Sequence, residues 1–205
     1  MPKKEYPLLQ LRHFLPEASF ELVMLYLNEY KVHLTITRER RTVLGDYRHA
    51  LRDRNHRISI NGNLNPFAFL ITLVHELAHL VTFEQYGNRV SAHGKEWKQV
   101  YRLLLQNFLG KQIFPADVEQ ALLKSLHNLP ASSCSDEHLM RVLRNHDHPD
   151  HKGTLVEEIP EGSYFAIEGG RIFTKGKKLR KRYQCKELAT GKLYLFSGLY
   201  EVLKL

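Results

Sequence analysis

Three residues in one apolar stretch have the types and spacing for metal chemistry. The segment FLITLVHELAHLVTF, residues 69–83, carries His75, Glu76 and His79 among mostly aliphatic and aromatic neighbours. On a helix, residues four apart share a face, so the imidazoles of His75 and His79 stand one turn apart on the same side. Glu76 points about 100° away from His75 and can border that face without sharing it. This is the H-E-x-x-H pattern. Zn²⁺ takes imidazole nitrogens at about 2.0–2.1 Å in tetrahedral geometry, and two such His supply half of that shell. A carboxylate beside it can reach a water on the ion and take its proton during attack on a carbonyl. A metal also explains the burial, because isolated polar groups in so apolar a helix would each cost roughly 1–3 kcal/mol.

A catalytic zinc site needs a third protein ligand and an open position. Tyr86-Gly87-Asn88 offers a chain reversal, and SAHGKEWK follows. His93 lies fourteen residues after His79, and Gly94 beside it leaves room for a close approach. Glu96 is the rival ligand, whereas Glu84 faces away from the two His.

The elements that position these groups can be read from pattern. Pro16–Tyr30 reads as a helix, with Phe20, Val23, Met24 and Leu27 at helical spacing. Residues 32–49 alternate β-branched and polar positions, predicting two strands joined by a turn near Arg40. HRISING predicts a further strand ended by Asn61-Gly62. Asn65 as N-cap, Pro66 in the first turn and Gly87 as the stop frame a long helix around the His pair. Two more helices are expected, from His93 to Gly110 and over 115–127. Residues 130–157 turn polar and His-rich around one short helical patch and read as a linker or a loosely packed arm. From Ile159 the pattern is β again, with hairpin turns at Gly169-Gly170 and Thr190-Gly191. The sum is an α+β chain with a small C-terminal antiparallel β module.

The stretch TLVHELAHLVTF followed by GNRVSAHGKEWK resembles the SprT-like metallopeptidase family, which includes the Spartan proteases. The likeness spans roughly residues 6–110. It implies a zincin-like domain over 1–129, in which the active-site helix packs on a small antiparallel sheet. It implies one Zn²⁺ ion on His75, His79 and His93, so that His93 is preferred to Glu96, with Glu76 as general base. It further implies proteolysis of proteins bound or crosslinked to DNA. Many members add a zinc ribbon made from two Cys pairs. This chain has only Cys134 and Cys185. Residues 158–205 therefore resemble a ribbon without its ligands, held by Tyr164, Phe165, Ile172, Phe173, Tyr183, Leu193 and Phe196.

The charge distribution adds a second expectation. The chain carries a net +8, and residues 171–192 alone hold nine basic residues against Glu187. Lys175, Lys177, Lys178, Arg180, Arg182 and Lys186 are candidate contacts to nucleic-acid phosphates, sequence-independent because no base-reading motif accompanies them. The alternative for the same residues is a solubilising charged face. A weaker concentration lies at residues 38–57, seven Arg against Glu39, Asp46 and Asp53. His138, His146, His148 and His151 match no closed metal site and read as surface loop, and Trp97 reads as core. With 43% hydrophobic and 25% charged residues, the composition suits a soluble globular protein. No secretory signal or membrane partner is expected, and the low Cys content suits the cytoplasm, with nucleoid association through DNA. The function expected is a zinc endopeptidase acting on DNA-associated protein substrates. Its rival is a nucleic-acid-binding, transcription-associated protein whose metal site has no proteolytic role.

Overall fold

The computed structural model describes residues 8–40, 43–50, 54–127, 136–149 and 153–205. Two compact units divide the chain, Met1–Asp147 and His148–Leu205. Both are built from ordinary elements, and the mixture of helices and sheets is α+β.

In the first unit a 3₁₀ turn over Glu17–Ser19 leads into α1, Phe20–Glu29. Pro16 stands before this turn with extended ψ, so the predicted single helix from Pro16 begins later. The strands β1 (His33–Thr37), β2 (Gly45–Arg48) and β3 (Arg57–Asn61) follow. Then come α2 (Pro66–Tyr86), α3 (Lys95–Gln106), α4 (Ala116–His127) and α5 (Glu137–Arg144).

The three strands do not form the antiparallel sheet expected. Their order is β1-β3-β2. β1 runs parallel to β3, with Leu34 opposite Ile58, while β2 is antiparallel to β3, with Tyr47 opposite Ile58. β1 and β2 are therefore not a hairpin; β3 lies between them. Arg40 braces the arrangement, donating from Nε to Asn61 Oδ1 at 2.8 Å and from Nη1 to Ser59 Oγ at 3.0 Å. A parallel pair needs a long crossover, and the segment containing β2 provides it. Ile58 and Ile60 face inward and join the core around α2, together with Leu34, Ile36 and Tyr47.

α2 is the hub of this core, and fourteen of its residues are buried, so it lacks a solvated face. Its apolar window is long enough to cross a bilayer, but 72% of it is buried inside the protein itself. The helix starts where Asn65 Oδ1 accepts from the Ala68 N–H at 2.9 Å, and it stops at Gly87, whose φ of +59° suits glycine. α5 lies where the polar arm was expected. Its two buried residues, Leu139 and Leu143, belong to the first unit's core. The Leu143 carbonyl also accepts from Asn65 Nδ2 at 2.9 Å. The short helical patch read in that arm is thus firmly packed rather than loose, because two apolar residues four apart suffice to anchor it.

The second unit is a six-stranded antiparallel sheet, order β4-β9-β5-β6-β7-β8. Its strands are β4 (Thr154–Leu155), β5 (Tyr164–Ala166), β6 (Ile172–Lys178), β7 (Arg182–Glu187), β8 (Leu193–Ser197) and β9 (Glu201–Lys204). Both predicted hairpins are present, β5–β6 and β7–β8. The core is Phe165, Phe173, Cys185 and Phe196, closed by Val156, Ile159 and Val202, with Tyr183 packed against it. Tyr164, Ile172 and Leu193, expected inside, are exposed, Tyr164 by 52% and Leu193 by 62%. They alternate with the core positions and fall on the opposite face of the sheet.

Candidate metal centre

His75 and His79 project from consecutive turns of α2, their ring centroids 5.0 Å apart. His93 comes from the turn between α2 and α3. That turn is closed by the Gly94 N–H donating to the Ser91 carbonyl at 2.9 Å. His93 itself sits at φ +60°, the left-handed region that costs a non-glycine residue roughly 1–2 kcal/mol. This strain is what turns its ring back toward α2. Gly94 serves the turn, since an added Cβ would meet the Ser91 carbonyl oxygen at 2.9 Å.

The three rings meet through their Nε2 atoms, 3.0 Å between His79 and His93 and 3.2 Å between His93 and His75. Metal–nitrogen bonds of about 2.0–2.1 Å in a tetrahedron give ligand–ligand edges of roughly 3.3–3.4 Å. Convergence to nearly that spacing is what three ligands of one ion require, and the three imidazoles form a group able to hold a metal. Glu96 is not in that group; its carboxylate lies 3.8 Å from Lys95 Nζ.

Trp97 packs on all three rings, at 4.7 Å from His75, 5.2 Å from His79 and 4.7 Å from His93. Tyr101, one turn later, stacks on Trp97 at 4.9 Å. This cage dries the site. Burial, with His79 and His93 nearby, pushes His75 down to about 3, and burial plus His93 pushes His79 down to about 4. Burial also lowers His93, helped by Lys98. Neutral imidazoles keep the lone pairs a metal needs.

Glu76 is buried on the neighbouring face, and burial, with Asp46 adding like charge, pushes its carboxyl up to about 8. Arg40 and a hydrogen bond from the Tyr47 N–H oppose the rise. Gly45 explains how β2 comes so near: a Cβ there would lie 2.6 Å from Glu76 Oε1 and 2.8 Å from Thr72 Cγ2.

Comparison with known proteins gives the family. The model of the SprT-like family matches residues 17–119, half of the chain. The chain belongs to the SprT-like family. Within it, the protein named SprT from Vibrio parahaemolyticus is 57% identical over 37 residues, 18% of this chain and 22% of that one. The SprT of Pseudomonas putida strain F1 is 48% identical over 31 residues, 15% of this chain and 19% of that one. The match thus spans about a fifth of the length of these curated relatives. No solved structure matches the chain.

In this SprT-like chain, sequence reasoning missed Gly45, Asp46, Tyr47 and Arg40 as neighbours of Glu76. A glycine inside a predicted strand was the available signal, since it marks close approach of another group. Glu84 does face away, pairing with His56 Nε2 at 3.2 Å, while His56 Nδ1 lies 2.9 Å from the Tyr47 hydroxyl. That chain of contacts ties β2 to the end of α2. His146, one of the His expected in a surface loop, pairs with Asp117 at 3.0 Å and packs edge-on against Phe67. Cys134 and His151 lie outside the described residues.

The basic candidates divide. Lys177, Lys178, Arg180 and Arg182 are exposed around the β6–β7 turn, and Lys186 is exposed farther along β7. Lys175 is different and leaves the set: it is 5% exposed, its Nζ donates to the Ile159 carbonyl, and it lies 4.3 Å over the Tyr183 ring. The cause is plain alternation: Lys175 lies two residues after Phe173 on β6 and opposite buried Cys185, and the register shift comes only after it, before Lys178. Gly176 permits that shift, since a Cβ there would meet the Gln184 carbonyl oxygen at 2.3 Å.

Proposed function

We propose that this protein is a zincin-like, zinc-dependent endopeptidase acting on DNA-associated or DNA-crosslinked proteins. One observation carries the reading: three neutral imidazole nitrogens converge within ligand spacing beside a buried carboxylate of the same helix. His75, His79 and His93 would hold one Zn²⁺, which supplies a Lewis acid and lowers the pKa of water. The charge of such an ion would offset the burial that raises Glu76 and favour its carboxylate, which is placed to accept a proton from the attacking water and return it to the leaving amine. The Tyr47 N–H orients that carboxylate. β2 stands at the edge of its sheet next to Glu76, so an extended substrate can add there as a further strand. Burial by Trp97 and Tyr101 excludes bulk water from the ligand side.

The exposed basic turn of the second unit supports sequence-independent attraction to DNA, which would concentrate the enzyme on its substrates. The same turn favours the rival reading, a nucleic-acid-binding protein without proteolysis. Glu76→Gln decides between them. The variant should keep its zinc, measured by elemental analysis, and lose cleavage of a DNA-bound protein. A zinc-loaded wild type that binds DNA and cleaves nothing would establish the rival.

A further inference from the structure

The outer face of the three-stranded sheet carries a polar cavity of about 190 Å³, on the side of the strands away from the α2 core. Thr35, Thr37, Ser59, Asp46, Arg48 and Arg57 line it, with Arg40 in its wall. The residues alternate with Leu34, Ile36, Tyr47, Ile58 and Ile60, which face the core.

Two features of this face are unusual for a merely solvated surface. Arg48 and Arg57 are direct partners across the β2–β3 ladder. Like charges placed opposite one another destabilise a sheet, and here the strand pairing forces them together. Arg57 Nε is also buried without a hydrogen-bond partner among the described residues. A buried guanidinium donor left unpaired is costly, and it is relieved by an anion. Asp46 does not relieve it; its carboxylate is taken by Arg48 Nε at 2.9 Å. Arg40 is committed to Asn61 and Ser59 and serves as a rigid wall. In the adjacent layer of the ladder, Thr35 stands opposite Ser59, placing hydroxyl donors beside the two guanidiniums.

We propose that this face binds the phosphodiester backbone of nucleic acid, with Arg48 and Arg57 gripping phosphate and Thr35 and Ser59 donating to its oxygens. Guanidinium forks and hydroxyls match the tetrahedral oxyanion, and the face offers nothing to read bases. Seven Arg against three acids in residues 38–57 give the surrounding chain the complementary charge. The site belongs to the first unit, and the basic turn belongs to the second. It holds whether or not the metal centre is proteolytic.

The test uses the full chain and labelled oligonucleotides of arbitrary sequence, single-stranded and duplex, titrated at several salt concentrations. Arg48→Gln with Arg57→Gln should lower affinity about tenfold. It should also make the slope of log K against log salt shallower by roughly one to two phosphate contacts at ~0.9 each. The loss should persist when Lys178, Arg180 and Arg182 are replaced by Gln. Because a change at Arg57 can disturb folding, Thr35→Glu, which puts a carboxylate into the cavity, should give the same loss with an unchanged thermal midpoint. In the wild type, oligonucleotide should shift the amide resonances of residues 35, 48, 57 and 59. Unchanged affinity and slope in these variants overturns the proposal. So does a response of those amides to inorganic phosphate with none to oligonucleotide, which would assign the cavity to a small anion.

Discussion

In the first unit His75 Nδ1, Thr82 Oγ1 and Trp97 Nε1 are buried with no hydrogen-bond partner among the described residues, and the Glu76 carboxyl is pushed up by burial beside them. In the second unit Lys175 and Glu187 are as deeply buried, yet each is answered. Lys175 donates to the Ile159 carbonyl, and Glu187 accepts from Arg171 Nε at 2.6 Å and from the Thr190 hydroxyl. Both units use the same aromatic and aliphatic packing. They differ in whether buried polarity is satisfied internally. Satisfied polarity specifies a fold; unsatisfied polarity clustered in one place waits for a ligand or a substrate. The contrast leaves the unanswered polar groups in the first unit, while the buried charges of the second are paired.

The sharpest way to break that contrast is at Glu76. Glu76→Gln should reduce cleavage by about 10²–10⁴-fold with zinc content unchanged, while His93→Ala should lose the zinc. A His93→Ala protein that retains full zinc would remove the chain's return turn from the site. Next in size is Phe173→Ala, which deletes a ring packed 5.6 Å from Phe165 and 5.0 Å from Phe196. It should cost about 3–5 kcal/mol of the second unit's stability, measured by denaturant unfolding, and leave zinc binding intact. Loss of zinc along with it would show that the units do not divide the labour. Gly45→Ala should cost about 1–3 kcal/mol and lower activity, because the methyl group meets Glu76 Oε1.

The smallest effect is on pH. In the metal-free protein His75 and His79 are held below the ordinary 6.5, so the unfolded chain binds more protons and stability falls as pH drops from about 6.5 toward 4 and 3. Glu76 has the opposite sign. Raised from 4.5 to about 8, it favours the folded state at low pH, and that contribution is lost as pH rises through 8. Two His outweigh one Glu on the acid side, so the thermal midpoint in chelator should peak near pH 6.5. A flat profile would contradict the burial of these groups.

Local signals made the site helix legible. Asn65, Pro66 and Gly87 punctuate it, and His75 and His79 repeat at its own period, so the helix and two of its three candidate ligands follow from spacing alone. Lys175 shows where such reasoning ends. Its place in the charge run put it among exposed lysines, but two residues after Phe173 it faces the core, opposite buried Cys185. The short helical patch that became α5 was legible, but its anchorage was not, since only packing reveals that Leu139 and Leu143 join the core.

What the residues determined by themselves was chemistry carried on one element: a capped apolar helix with two imidazoles and a carboxylate in fixed angular order. Tertiary structure decided everything that joins distant segments. It placed β3 between β1 and β2, and it brought Gly45 and the Tyr47 N–H against Glu76. It also held His93 in a left-handed turn and set Arg48 opposite Arg57. The physical reason is range: helix period and caps act over a few residues, whereas pairing register and desolvation depend on whichever part of the chain packs alongside.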